Sequence, residues 1–238
     1  MMEEKLQQME WDSNWLGFPV ARFVTGTADS AGEVAEAIRQ SRAAGIRLLY
    51  LVLCPTDTGA AAAQAAGAWP ADLKLTYQLL VSEPGDRLDP PINLHIQAVE
   101  ALTPQLEELA RQSGEYSRFR RDTRIGPRAF DELYVGWLRQ TLARGTVWAA
   151  ATAGETVGLL AFDIQADHAR IELLAVAASA RRQHIGHYLV QRARQEAHCR
   201  GYGTLRVVTQ GINQPARQFY ERCGFSLLHE EQVYHLWL

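Results

Sequence analysis

Two stretches in the last third of the chain carry residue types that can do chemistry together. The first is a basic loop, Arg181-Arg182-Gln183-His184, running into Ile185-Gly186-His187 at the start of a helix. A helix start presents backbone N–H groups without intrahelical partners, together with the positive end of the macrodipole. Such a turn is a natural seat for a pyrophosphate, and Arg181 and Arg182 add charge beside it. In the second stretch Asn213 reads as an N-cap, Tyr220 follows two turns later and Gly224 stops the helix. A tyrosine hydroxyl, with a reference pKa of about 10, stays protonated at neutral pH and can give its proton to a leaving group. A solvated basic turn and a capped amphipathic helix would explain each stretch separately. Neither explains their succession behind an antiparallel meander.

The elements that must position these residues follow from periodicity and breakers. Residues 146–152, 156–165 and 168–176 read as three strands with tight turns, the last feeding the basic loop. A helix over 186–200, a strand over 204–209, a helix over 213–222 and strands over 225–229 and 233–237 complete that half. Ahead of the meander, residues 94–98 read as a strand. Thr103 caps a helix that has Pro104 at its first position. Residues 127–144 form a longer helix, with Phe130, Leu133, Tyr134, Trp137, Leu138 and Leu142 at helical spacing. Between these two helices lies a polar segment holding Arg118, Arg120, Arg121 and Arg124. The first 80 residues read as β-α-β-α-β over 20–24, 31–44, 46–53, 58–66 and 74–81, with no catalytic constellation. Residues 83–91, with three prolines, a glycine and several charges, are linker chemistry. They divide the chain into a small N-terminal α/β domain over 1–88 and a second domain over 93–238.

Composition narrows the function classes. The 238 residues are 47% hydrophobic and 21% charged, with net charge −3. Nothing in that balance suggests a nucleic-acid or membrane partner. The three cysteines, Cys54, Cys199 and Cys223, are far apart, with no CxxC pair, so no metal site and no disulfide framework is signalled. A reducing compartment is the simplest reading. With no apolar leader and no apolar run long enough for a bilayer, a cytoplasmic location is expected.

Arg181-x-x-x-x-Gly186 after Leu174-Ala175-Val176, then Asn213-x-x-Ala216-x-x-Phe219-Tyr220-Glu221-x-x-Gly224-Phe225, resembles the GCN5-related N-acetyltransferase superfamily over about residues 95–238. The resemblance implies an α+β fold, with a mixed, mainly antiparallel, splayed sheet flanked by helices. It also implies acetyl-CoA as co-substrate, no metal, and transfer of acetyl to a primary amine. Main-chain groups of Leu174 and Val176 would pair with the pantetheine arm. Amides from Arg181 and Arg182 through His184, Ile185, Gly186 and His187 would bind the pyrophosphate. Asn213 and Ala216 would contact the cofactor, and Tyr220 would protonate the departing thiolate. Glu172 stands where some members place a base acting through water; an ion pair is the alternative. The family's loop usually has glycine where His184 stands, so altered loop geometry with binding retained is expected.

The segment Tyr116-Ser117-Arg118-Phe119-Arg120, with Phe130, Tyr134, Trp137 and Arg144-Gly145, resembles the TDP-fucosamine acetyltransferase group, as does the stretch from Met9 to Phe18. The likeness departs at Glu172 and Phe219. It implies a nucleotide-sugar acceptor, a TDP-linked 4-amino-4,6-dideoxyhexose, bound by Ser117, Arg118 and Phe119. The arginines of this segment would meet the diphosphate, and Tyr116 or Phe119 would stack on the base. Another small amine, a protein or peptide amine, or a non-catalytic acyl-CoA sensor are the alternatives. A homodimer is one option for the assembly, and the N-terminal domain could serve the acceptor pocket or that interface.

Overall fold

Leu48, Leu49, Tyr50 and Leu51 form an unbroken apolar run because their strand is covered on both faces and both edges. The computed structural model describes residues 6–25, 30–54, 58–81 and 93–238. In chain order the elements are β1 (Leu6–Gln8), α1 (Glu10–Leu16), β2 (Val20–Val24), α2 (Ala31–Ala43), β3 (Leu48–Leu53), α3 (Gly59–Ala65) and β4 (Trp69–Leu80). Then follow β5 (Leu94–Ala98), α4 (Pro104–Ser113), α5 (Arg118–Arg121), α6 (Pro127–Arg144), β6 (Thr146–Thr152), β7 (Glu155–Ile164) and β8 (Ala169–Val176). The chain closes with α7 (Ile185–Cys199), β9 (Thr204–Gln210), α8 (Gln214–Arg222) and β10 (Ser226–Trp237).

Among the described residues one mixed sheet runs through the molecule in the order β1-β2-β3-β10-β4-β9-β8-β7-β6-β5. Only β2–β3 and β8–β9 are parallel pairs; the rest are antiparallel. The two halves of the chain interleave. C-terminal β10 lies between β3 and β4, and N-terminal β4 lies between β10 and β9. The linker read at residues 83–91 lies outside the described residues.

Side-chain alternation sorts the helices. On β4, Leu75, Tyr77 and Leu79 join α7 and α8 in one core, and on β3 and β10, Leu49, Leu51, Tyr234 and Leu236 join α2 and α3. The opposite face carries Tyr50, Leu159, Ala161, Leu173 and Ala175 under α4, α5 and α6, with Trp15 of α1 against them. The fold is thus helices on both faces of a mixed α/β sheet.

Several local expectations change. Residues 225–229 and 233–237 belong to one strand, β10, which keeps pairing with β4 through two irregularities, at Leu227/His229 and Val233/Tyr234. Acidic Glu230-Glu231 breaks the apolar pattern but not the strand, because Glu231 pairs across the ladder with Lys74 at 2.5 Å. β4 starts at Trp69 rather than 74. The polar segment contains the one-turn α5, which Ser117 caps by accepting from the Arg120 N–H at 3.3 Å. Residues 6–8 and 10–16 form β1 and α1, and Gly17 ends α1 in the left-handed conformation. No helix among the described residues is long and apolar enough to cross a membrane.

Candidate active site

The parallel pairing of β8 with β9 covers only Ala169–Ile171 against Leu205–Val207. Beyond Ile171 the strands part, β8 staying with β7 and β9 staying with β4. The parting coincides with a bulge. Ile171 opposes Phe162 and Leu173 opposes Ala161, so Glu172 is an extra residue with no partner on β7. Past the bulge, the Ala177 N–H donates to the Val157 carbonyl at 2.8 Å. Because main-chain groups alternate along a strand, those of Leu174 and Val176 face into the split. The Val176 carbonyl there accepts from Arg181 Nε at 3.1 Å.

The loop after β8 carries backbone strain at two non-glycine residues. Arg182 (φ 61°) and His184 (φ 60°, ψ 3°) both adopt the left-handed conformation. His184 therefore takes the backbone shape that glycine supplies without strain, at a cost of about 1–2 kcal/mol. The turn hands the chain to α7, whose first N–H groups start at Ile185 and Gly186. Gly186 is small for a packing reason: a Cβ there would lie 3.1 Å from Phe219 of α8. Phe219 thereby seats α8 against the start of α7. His187 Nδ1 lies 3.6 Å from Cys223 Sγ and ties the same two helices.

Asn213 caps α8 through Oδ1, which accepts from the Ala216 N–H at 3.2 Å. Pro215 sits within the first turn, so the helix is fixed at its start. Tyr220 is buried against Phe219, Phe225 and Tyr77, with ring centroids 5.2, 5.6 and 6.3 Å away. Burial pushes its phenol well above the usual tyrosine range, with Cys223 adding to the shift. The proton is therefore held throughout the neutral range.

A cleft of about 920 Å³ joins this split to the face under α5 and α6. It is lined by Glu172, Leu174, Asn213, Ala216 and Tyr220 on one side and by Ser117, Arg118 and Phe119 on the other. The loop residues Arg181, Arg182 and His184 are exposed and lie outside that lining, as do Val176, Ile185, Gly186 and His187. Glu172 is enclosed by donors. Trp137 Nε1 donates to it at 3.1 Å, Arg170 and Arg144 approach at 3.6 and 3.9 Å, and its side chain is 3% exposed. Arg144 in turn pairs with Asp163 at 2.7 Å. This network is the ion-pair alternative in its full form.

Of the four arginines in the polar segment, only Arg118 lines the cleft. Arg120 lies over Phe130, Arg121 donates to the Ala71 carbonyl, and Arg124 pairs with Asp122 at 3.0 Å. Arg118 lies over Phe119 at 4.2 Å and over Tyr50 at 5.0 Å. Phe119 is thus buried beneath a guanidinium, and Tyr116 lies outside the cleft lining. Behind this wall Asp122 accepts from His235 Nδ1 at 2.8 Å and Trp237 Nε1 at 2.9 Å, which ties α5 to β10. These donors hold the Asp122 carboxyl well below its usual range despite burial, while burial lowers His235 to about 4.

Among the cleft residues that sequence reasoning missed are Asp12, Tyr50 and Asp72. Tyr50 donates to Asp12 Oδ1 at 3.2 Å. Burial raises the Asp12 carboxyl, and it raises Asp72 to about 6 against the pull of Arg118, Arg121 and Lys74. Asp12 stands inside the quoted stretch from Met9 to Phe18; nothing local marks Asp72. Among the described residues no group of three or more His, Cys, Asp or Glu is placed to hold a metal ion.

The comparisons with known proteins agree with this geometry. The model of the acetyltransferase (GNAT) family matches residues 105–225, just over half of the chain. The spore coat polysaccharide biosynthesis protein SpsD of Bacillus subtilis (strain 168) is 29% identical over 137 residues, 57% of this chain and 47% of that protein. The chain thus spans just under half the length of that relative. A GCN5-related N-acetyltransferase from Sphaerobacter thermophilus superposes with a TM-score of 0.62 at 14% identity, covering 98% of this chain and 76% of the other. A tandem GNAT protein from the clavulanic acid biosynthesis pathway gives 0.58 at 15%, covering 91% and 74%. With the split sheet, the capped α8 and the family match in agreement, the chain belongs to the acetyltransferase (GNAT) family, a family of acetyl-CoA-dependent N-acetyltransferases.

Proposed function

We propose that the protein moves acetyl from acetyl-CoA to a primary amine, the 4-amino group of a TDP-linked 4-amino-4,6-dideoxyhexose. The observation that carries the acyl-transfer part is the parting of β8 and β9 at Glu172, beside a buried Tyr220. The sugar part is supported by the Ser117-Arg118-Phe119 wall and by the relative in spore coat polysaccharide biosynthesis.

In this reading Leu174 and Val176 pair through their main chain with the pantetheine arm, and the α7 start, with Arg181 and Arg182, holds the pyrophosphate. Asn213 and Ala216 line the thioester end. The bound thioester supplies an activated carbonyl with a thiolate leaving group. The amine nitrogen bonds to that carbonyl carbon, the C–S bond breaks, and Tyr220 gives its proton to sulfur. The dry surroundings that raise the Tyr220 phenol raise the proton affinity of a developing thiolate in the same direction. Glu172, held by Trp137, Arg144 and Arg170, orders the site and is the candidate to receive the amine's proton through water. One point of the sequence reading changes. Of the four arginines only Arg118 lines the cleft, so the acceptor reading draws its support from that residue and not from the four as a cluster.

The test is free-thiol release from acetyl-CoA with TDP-4-amino-4,6-dideoxyhexoses, a polyamine, an aminoglycoside and a short peptide. Release confined to the TDP-amino sugars is expected. Turnover only with another amine would leave acetyl transfer standing and remove the nucleotide sugar.

A further inference from the structure

Asp72 is 5% exposed, lines the cleft, and has a carboxylate oxygen, Oδ1, with no hydrogen-bond partner among the described residues. A buried polar atom without a partner is unfavourable by roughly 1–3 kcal/mol, so its persistence calls for a reason. Arg118 is its counterpart. The guanidinium is held by the faces of Tyr50 and Phe119, and its Nε is also buried without a partner among the described residues. Arg118 is the strongest charge acting on Asp72, yet the two form no ion pair within 4 Å in the described structure. One wall of the cleft therefore presents an unused acceptor on Asp72 and an unused donor on Arg118. Asp12 adds a second buried carboxylate to that wall, already accepting from Tyr50. Two buried carboxylates beside Arg118, with the neighbouring Lys74 already paired to Glu231, make a poor seat for a dianion. They suit a neutral, hydroxyl-rich group.

We propose that Asp72 and Arg118 form a subsite that grips the hexose ring of the acceptor, Asp72 accepting from a ring hydroxyl and Arg118 donating to a neighbouring ring or hydroxyl oxygen. The inference rests on the amino-sugar reading above and goes beyond it. It assigns these residues to the sugar rather than to the diphosphate. It also makes β4, a strand of the N-terminal half, a determinant of acceptor choice. Loss of one charged hydrogen bond in such a site lowers affinity roughly 10- to 100-fold.

The experiment measures steady-state constants for wild type and Asp72→Asn with TDP-4-amino-4,6-dideoxygalactose, and the inhibition constant of TDP alone. Asp72→Ala and a melting curve for each variant guard against misfolding. The expected result is an acceptor KM raised at least 10-fold in Asp72→Asn, with the KM for acetyl-CoA and inhibition by TDP within twofold of wild type. An unchanged acceptor KM in a folded variant overturns the subsite and leaves the amino-sugar reading intact. Weakened TDP inhibition in parallel overturns it by assigning Asp72 to the nucleotide. If wild type binds CoA by calorimetry yet acetylates no TDP-amino sugar, the amino-sugar reading fails and the subsite falls with it.

Discussion

The two walls of the cleft are built in opposite ways. The wall that holds Glu172, Leu174, Asn213 and Tyr220 comes from β8, β9 and α8, and in the proposed reading it binds largely through main chain: the free edge of β8, continued outside the cleft by the start of α7. The wall of Asp12, Asp72 and Arg118 draws one side chain from each of α1, β4 and α5, and its shape depends on β10 threading between β3 and β4. A main-chain site needs only a strand that stops pairing and a helix that starts, so it tolerates wide sequence change. A side-chain site changes with every substitution. In the proposed reading the first wall takes the co-substrate common to the family and the second takes the acceptor.

That contrast breaks most readily at Tyr220, the proposed acid of the main-chain wall. Tyr220→Phe keeps the ring among Phe219, Phe225 and Tyr77 and removes only the hydroxyl. A fall in kcat of about 10²- to 10³-fold is expected, with acetyl-CoA affinity by calorimetry unchanged. An unaltered kcat would take Tyr220 out of the acid role. On the other wall, Arg118→Ala should lower kcat/KM for the amino sugar about 10- to 100-fold while the KM for acetyl-CoA holds. Equal loss on both substrates would mean that the two walls are not independent.

Legibility in the sequence follows the same division. The capped start of α8 at Asn213, the loop from Arg181 and the meander before it are local patterns, and each has its counterpart in the structure. Asp72 could not be read, because its place depends on pairing opposite Val233, far along the chain. A strand's own pattern says which face is buried, not which strands will flank it. The arginines misled for a related reason. Arg118, Arg120, Arg121 and Arg124 look equivalent in sequence, but one turn of helix points only the first into the cleft, while the rest meet Phe130, Trp69 and Trp237. Elements of one or two turns, such as α1 and α5, leave too short a periodicity to detect.

Asp72 also gives the comparison a thermodynamic edge. Its carboxyl titrates at about 6 in the fold, above its ordinary range, with Arg118 and Arg121 of α5 and Lys74 of its own strand facing it and Tyr134 of α6 nearby. The folded state therefore holds this proton more tightly than the unfolded chain. The resulting stability is complete below the ordinary carboxylate range and is lost as pH rises through about 6. Asp72→Asn should accordingly be more stable than wild type at pH 8, by about 1–3 kcal/mol, with the gap closing near pH 4. Denaturant melts at the two pH values measure it. A gap that does not change with pH would mean that the carboxyl is solvated in the native protein, and with it the reason to assign Asp72 a ligand would go.

The smallest effect is expected at His184, where the main-chain wall can be tested for indifference to side chains. Its left-handed backbone costs a non-glycine residue about 1–2 kcal/mol. Glycine would remove that strain but would itself lose about 0.5–1 kcal/mol through the freedom it gains when unfolded. His184→Gly should thus be neutral to about 1 kcal/mol more stable, a rise in melting temperature of about 0–4 °C. Binding of CoA should stay within twofold if the loop acts through its amides alone, since the substitution leaves every N–H in place. A clear loss of CoA affinity would show that the exposed imidazole itself meets a phosphate. The departure from glycine at this position would then be an added contact rather than a tolerated strain.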